Sequence, residues 1–140
     1  MATKNIVEKL IVKHASNNPF IIAEKLNVII LYSNMRNTLG FFSKYNRSKF
    51  IHLNCNLSDN LKNFVCAHEL GHSILHPDVN TPFLKKHTLF SMDKIEREAN
   101  KFAVELLLPD KLLQEYGEYS LFNIAKIVGV PDKLTTLKSS

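Results

Sequence analysis

His68-Glu69-Leu70-Gly71-His72 sets two imidazoles four residues apart, with a carboxylate between them. On a helix, residues at that spacing lie one above the other. Such a pair can hold a zinc ion, and the intervening glutamate can work on the bound water. The stretch therefore predicts a helix and a zinc-dependent hydrolase, above all a peptidase. Ser58 is a suitable N-cap and Pro77 a stop, so the helix is expected from Ser58 to about His76.

Helix phase tests this reading. With His68 at zero and about 100° per residue, His72 lies about 40° away. Leu61, Phe64, Val65 and Leu75 fall within about 60° of His68, so both histidines point inward. Buried imidazoles need partners, because unsatisfied polar groups in a core cost a few kcal/mol. A metal satisfies both at once; hydrogen bonds to carbonyls or carboxylates are the ordinary alternative. Gly71 costs about 1 kcal/mol in helix propensity and is useful only where another segment packs closely against the motif.

A catalytic zinc takes three protein ligands and keeps one open position. A third histidine at the spacing H-E-x-x-H-x-x-G-x-x-H is absent, since position 75 is Leu and position 78 is Asp. His76 follows His72 by four residues. One helix does not readily wrap three successive imidazoles round a tetrahedral ion, so His76 is expected behind the ligands or at the surface. The segment Ile95-Glu96-Arg97-Glu98-Ala99-Asn100-Lys101-Phe102-Ala103 offers two carboxylates on another helix. Glu98 shares a face with Lys94, Lys101 and Glu105, which reads as solvated. Glu96 lies about 160° round, beside Asn100, Ala103 and Leu107. A carboxylate on an apolar inner face must be paired or coordinated. Glu96 is therefore the expected third ligand, and Asn100 the residue that accepts from the free N–H of a liganding histidine.

The remaining residues bound the class of protein. The chain has 140 residues, 45% of them hydrophobic, which suits one globular domain over 1–140 with a short loose tail from about 132. No apolar run approaches the ~20 residues needed to span a bilayer. The first residues lack a signal-peptide pattern, so an intracellular, cytoplasmic protein is expected. Cys55 and Cys66 form no CxxC pair and no disulfide framework. The net charge of +5 comes from scattered lysines, and its densest pair, Lys85-Lys86, sits in an expected loop. Scattered lysines read as solvated surface, not as a nucleic-acid site.

Residues 5–15 read as an amphipathic helix, and Asn18-Pro19 opens a second. Val28–Tyr32 reads as a strand. The runs 39–45 and 49–54 are two more, joined by a turn at Asn46-Arg47-Ser48. Phe50 and Leu53 do not alternate cleanly, which leaves the register of that strand open. Residues 77–91 read as a loop or lid. Long and short helices are expected over about 92–108, 111–116 and 121–128, stopped by Pro109 and by Gly129-Val130-Pro131. The last of these has no second helix after it, so it reads as a packing helix and not as half of a DNA-reading pair.

Two blocks together resemble the ImmA/IrrE-type metallopeptidases: Ala67-His68-Glu69-Leu70-Gly71-His72-Ser73-Ile74-Leu75-His76, and the run Glu96–Pro109, which is similar to that family's ExxANxFAxxLLxP block. The resemblance spans roughly residues 15–130. It implies an α+β, gluzincin-like fold in which a small antiparallel sheet packs on a helical core carrying the active-site helix. It implies one Zn²⁺ per chain on His68, His72 and Glu96, with Glu69 as general base. It also implies an intracellular protease, encoded beside a helix-turn-helix repressor on a phage or integrative element, that cleaves that repressor. Direct contact with nucleic acid or membrane is not expected. A protein that acts by binding the repressor, with a structural or vestigial zinc, is the competing reading. No oxyanion donor is assigned; His76, His87 and Tyr116 are the candidates.

Overall fold

Asn46 closes a hairpin by taking a left-handed φ of 55°, a conformation asparagine tolerates better than most residues. The strands it joins are β2 (Thr38–Tyr45) and β3 (Ser48–Asn54), which pair antiparallel. The computed structural model that shows this describes residues 2–79, 81 and 83–139. Before the hairpin come α1 (Thr3–His14), α2 (Pro19–Lys25) and β1 (Val28–Ser33). After it come α3 (Asp59–Leu75), β4 (Leu84–Lys85), α4 (Lys94–Leu107), α5 (Asp110–Glu115) and α6 (Leu121–Val128). Short 3₁₀ turns at Lys86–Thr88 and Asp132–Leu137 complete the order. The fold is α+β, as expected.

The sheet runs β1-β3-β2-β4. It is mixed, not wholly antiparallel, because β1 lies beside β3 and parallel to it. The hairpin returns β3 between β2 and β1, so β3 runs parallel to β1 on one side and antiparallel to β2 on the other. Ile51 and Leu53 pair with Phe42 and Gly40 on the face toward α3, and all four are buried. Phe50 and His52 occupy the opposite face, which settles the register that the sequence leaves open. There Phe41 stacks on His52 at 4.1 Å and on Phe83 at 4.3 Å. The stretch expected as a loop or lid contains β4, which pairs with β2, so part of it belongs to the sheet; Asn80 and Pro82 lie outside the described residues.

Close approach seats α3. A Cβ on Gly40 would lie 2.7 Å from the His52 carbonyl oxygen and 2.8 Å from a Val65 methyl, so only glycine lets β2 meet the helix there. Ser58 caps α3 by accepting from the Leu61 N–H at 3.3 Å. Phe64, Val65, Ala67 and Leu70 are fully buried between the sheet and α4. α6 starts with Ser120 accepting from the Asn123 N–H and ends at Gly129, whose φ is 94°. Among the described residues no helix is long and apolar enough to cross a membrane.

The tail departs from expectation. Asp132–Leu137 are not loose: they form a 3₁₀ turn with Leu134 and Thr135 buried. Glu105, read as facing solvent beside Glu98, is 2% exposed beneath this turn. Lys138 reaches Glu105 at 2.6 Å, Lys101 at 3.0 Å, and the Ser139 N–H donates to it at 2.9 Å. Lys138 also pairs with Asp110, which accepts from Lys4 at 2.8 Å. Burial would raise the Glu105 carboxyl. The hydrogen bonds from Lys138, Ser139 and Lys101 outweigh it and hold the group below its ordinary value of 4.5.

A group whose pKa is depressed on folding adds stability above its unfolded value, and that stability fades as pH falls through the folded one. Glu105→Ala leaves Lys138 short of a buried partner and should cost about 3 kcal/mol near neutral pH. In urea titrations the gap to the parent should shrink as pH drops below about 4.5. A pH-independent gap would mean that lost packing, not charge, sets the cost.

Candidate metal centre

α3 and α4 face each other across a closely packed seam. Phe102 is fully buried opposite Gly71, where a Cβ would come within 3.0 Å of its ring and its own Cβ. The glycine inside the motif thus serves the close approach that its cost in helix propensity anticipates. Through this seam α3 presents His68, Glu69 and His72, and the first turns of α4 present Glu96 and Asn100. All five are buried.

His68, His72 and Glu96 each direct one ligand-type atom to a common point, all within 4.8 Å of one another. His68 Nε2 lies 3.0 Å from Glu96 Oε1 and His72 Nε2 lies 3.2 Å from the same oxygen. The far side of each ring fixes which nitrogen carries a proton. The Asn100 amide N–H donates to the Leu89 carbonyl at 2.8 Å, so its oxygen is turned to His68 Nδ1, also at 2.8 Å. That oxygen can only accept, hence His68 carries its proton on Nδ1. His72 Nδ1 lies 3.0 Å from His76 Nδ1, and His76 Nε2 lies 3.1 Å from Glu98 Oε1. A carboxylate accepts, so a neutral His76 carries its proton on Nε2, its Nδ1 accepts, and His72 donates from Nδ1.

Both ligand-type rings are therefore left with an Nε2 lone pair aimed at one carboxylate oxygen. Three lone pairs at that range repel unless positive charge stands among them. Two imidazole nitrogens and one carboxylate oxygen are a donor set that zinc accepts in hydrolytic sites. The residues fit a divalent metal.

Electrostatics separate the two buried glutamates. Burial pushes Glu96 up, but the imidazoles of His68 and His72, which donate to it when a proton and not a metal occupies their Nε2 lone pairs, outweigh burial and hold the carboxyl at about 2. Glu69 lies 4.0 Å from His68 Nε2, and neither of its oxygens has a hydrogen-bond partner among the described residues. Burial pushes it up to about 8, opposed by His72 and reinforced by Glu96.

Of the expected site residues, His68, Glu69, His72, Glu96 and Asn100 come together. His76 is 7% exposed and stands behind His72. Glu98 is the residue that the sequence misplaces: it is not a simple surface charge but the acceptor for His76. A buried His76 at the end of α3 requires an acceptor, and that requirement is the signal that points to it. Tyr116 is exposed at the end of α5 beside Tyr119. The His87 side chain lies outside the described part of the structure.

The fold and this seam define a metallopeptidase-type domain. A family model for peptidases with an IrrE N-terminal-like domain matches residues 23–135, and the chain belongs to that family. It is 47% identical over 138 residues to an uncharacterised immunity region protein 2 of Bacillus phage phi105, covering 96% of this chain and 87% of that one. It is 35% identical over 143 residues to the metallopeptidase ImmA of Bacillus subtilis strain 168, covering 98% of this chain and 83% of that one.

Gly71→Ala gains about 1 kcal/mol in helix propensity yet forces the anchored Phe102 aside. The clash should win. A net loss of about 1 kcal/mol is expected in chemical denaturation, and a more stable variant would show that the seam has room to give.

Proposed function

We propose that this chain is a zinc-dependent endopeptidase that cleaves a helix-turn-helix repressor encoded near it inside the cell. The observation that carries the chemistry is the convergence of His68 Nε2, His72 Nε2 and Glu96 Oε1, with the Glu69 carboxylate beside them, unpartnered among the described residues. His68, His72 and Glu96 would hold the metal. When bound, it would supply Lewis acidity to the scissile carbonyl and to a water. Glu69 supplies the base. Its carboxylate, raised toward neutrality by burial, takes a proton from the attacking water as the new C–O bond forms. The same carboxyl then gives that proton to the amide nitrogen as the C–N bond breaks. Glu96 suits the ligand role because its partners keep it ionised through the whole physiological range.

The repressor is the substrate class that the family resemblance implies, and relatives called metallopeptidase ImmA and uncharacterised immunity region protein 2 support a metallopeptidase of the phage immunity region type. Incubation with the purified neighbouring repressor should yield one defined pair of fragments by mass spectrometry. An intact repressor held in a stable complex would favour a regulator that acts by binding. Glu69→Gln should keep one zinc per chain and slow fragment formation by roughly 10²–10⁴-fold. Wild-type cleavage by that variant would remove Glu69 as the base. Glu96→Ala should lower the bound metal well below that of the parent in elemental analysis; undiminished metal would move the third ligand elsewhere.

A further inference from the structure

We propose that Glu98 and His76 form a positioning relay that fixes His72 in the tautomer a metal requires. The inference rests on the reading of His72 as a ligand and extends it to two residues which that reading does not use. Three links carry it: Glu98 Oε1 to His76 Nε2 at 3.1 Å, His76 Nδ1 to His72 Nδ1 at 3.0 Å, and His72 Nε2 toward Glu96 Oε1 at 3.2 Å. With one proton on each ring, the direction of every proton follows from the outer end, because a carboxylate offers only acceptor sites. If Glu98 did not hold the His76 proton on Nε2, His76 could carry it on Nδ1. It would then donate to His72 Nδ1 and leave the proton of His72 on Nε2, where it would block the metal.

The two ligand histidines are thus oriented by different means. His68 meets a neutral amide that is itself anchored to the Leu89 carbonyl. His72 meets an imidazole anchored to a carboxylate. A metal-bound histidine is commonly oriented by a carboxylate directly behind it, and here one ring is interposed. α4 supplies Glu96 on one side of His72 and Glu98 at the far end of the relay, so a single helix holds both. His76 is buried, whereas the Glu98 side chain is 42% exposed and can be changed with little disturbance of the core.

The test uses zinc itself, with affinity measured by competition against a chromophoric chelator at one pH. Glu98→Ala should weaken zinc binding by about 10–100-fold. Glu98→Gln keeps an acceptor oxygen without the charge and should recover to within about threefold of the parent. His76→Phe keeps a ring of similar size, removes the acceptor nitrogen, and should match Glu98→Ala. Urea unfolding of the metal-free proteins should show Glu98→Ala as stable as the parent, which a merely structural role would not give. Parent-like zinc affinity in Glu98→Ala overturns the relay. So does a Glu98→Gln variant as weak as Glu98→Ala, because charge and not hydrogen-bond direction would then be responsible. Loss of affinity in His72→Ala alongside unchanged Glu98→Ala would leave the metal site standing and remove only the relay. Unchanged affinity in His72→Ala would remove the site reading itself.

Discussion

Ionisable groups buried between two helices must satisfy one another, and the α3–α4 seam is organised around that requirement. His68, His72, Glu69 and Glu96 are nearly without solvent. An uncompensated charge there would cost several kcal/mol. The seam answers with a graded set of partners. Asn100 and Leu89 stand behind one ring, His76 and Glu98 behind the other, and the lone pairs left over converge on one point. A core of ordinary hydrophobic residues would be simpler to build and more stable. The family and the three converging donors suggest a metal at that point.

Such a site needs its two helices held in register, and the rest of the fold supplies this from both sides. β2 presses on α3 where Gly40 leaves room, and Phe102 presses on Gly71 from α4. On the far side of α4, Glu105 is gripped by Lys101, Lys138 and the Ser139 N–H. α4 is therefore buried almost all round from Ala99 to Leu108, and its first turns, which carry Glu96 and Asn100, project from a rod clamped along its length. The C-terminal turn, remote in sequence from the motif, contributes to the site through that rod.

Much of this was legible in the sequence because it is local. The i,i+4 spacing and the apolar residues round it fix the inward face of α3, and the same arithmetic separates Glu96 from Glu98. Ser58, Asn18 and Gly129 punctuate helices as their chemistry dictates. The failures are tertiary. Glu105 reads as solvated because its cover, Lys138 and Ser139, lies more than thirty residues away. Glu98 reads as a surface charge because only α3 packing reveals a buried histidine in need of an acceptor. The parallel pairing of β1 with β3 is invisible because neither strand's own pattern says which neighbour the hairpin will insert.

Two glutamates in one buried seam end at opposite extremes, and the cause is partnership, not depth. Burial alone pushes both carboxyls up. Glu96 has two imidazoles against it and falls to about 2; Glu69 accepts from nothing among the described residues and rises to about 8. A ligand must stay ionised whatever the pH, whereas a base must gain and lose a proton near neutrality. Environments that drive paired carboxylates apart mark acid–base division of labour in enzymes generally. Here the separation of the two carboxyls follows from which helix each residue rides. Glu69, adjacent to His68 in sequence, is turned about 100° from it round α3 and so misses the point where the lone pairs meet. Glu96 arrives from the opposing helix and lands on it. The i,i+1 offset that keeps Glu69 out of the converging donors also leaves its carboxyl without a hydrogen-bond partner among the described residues.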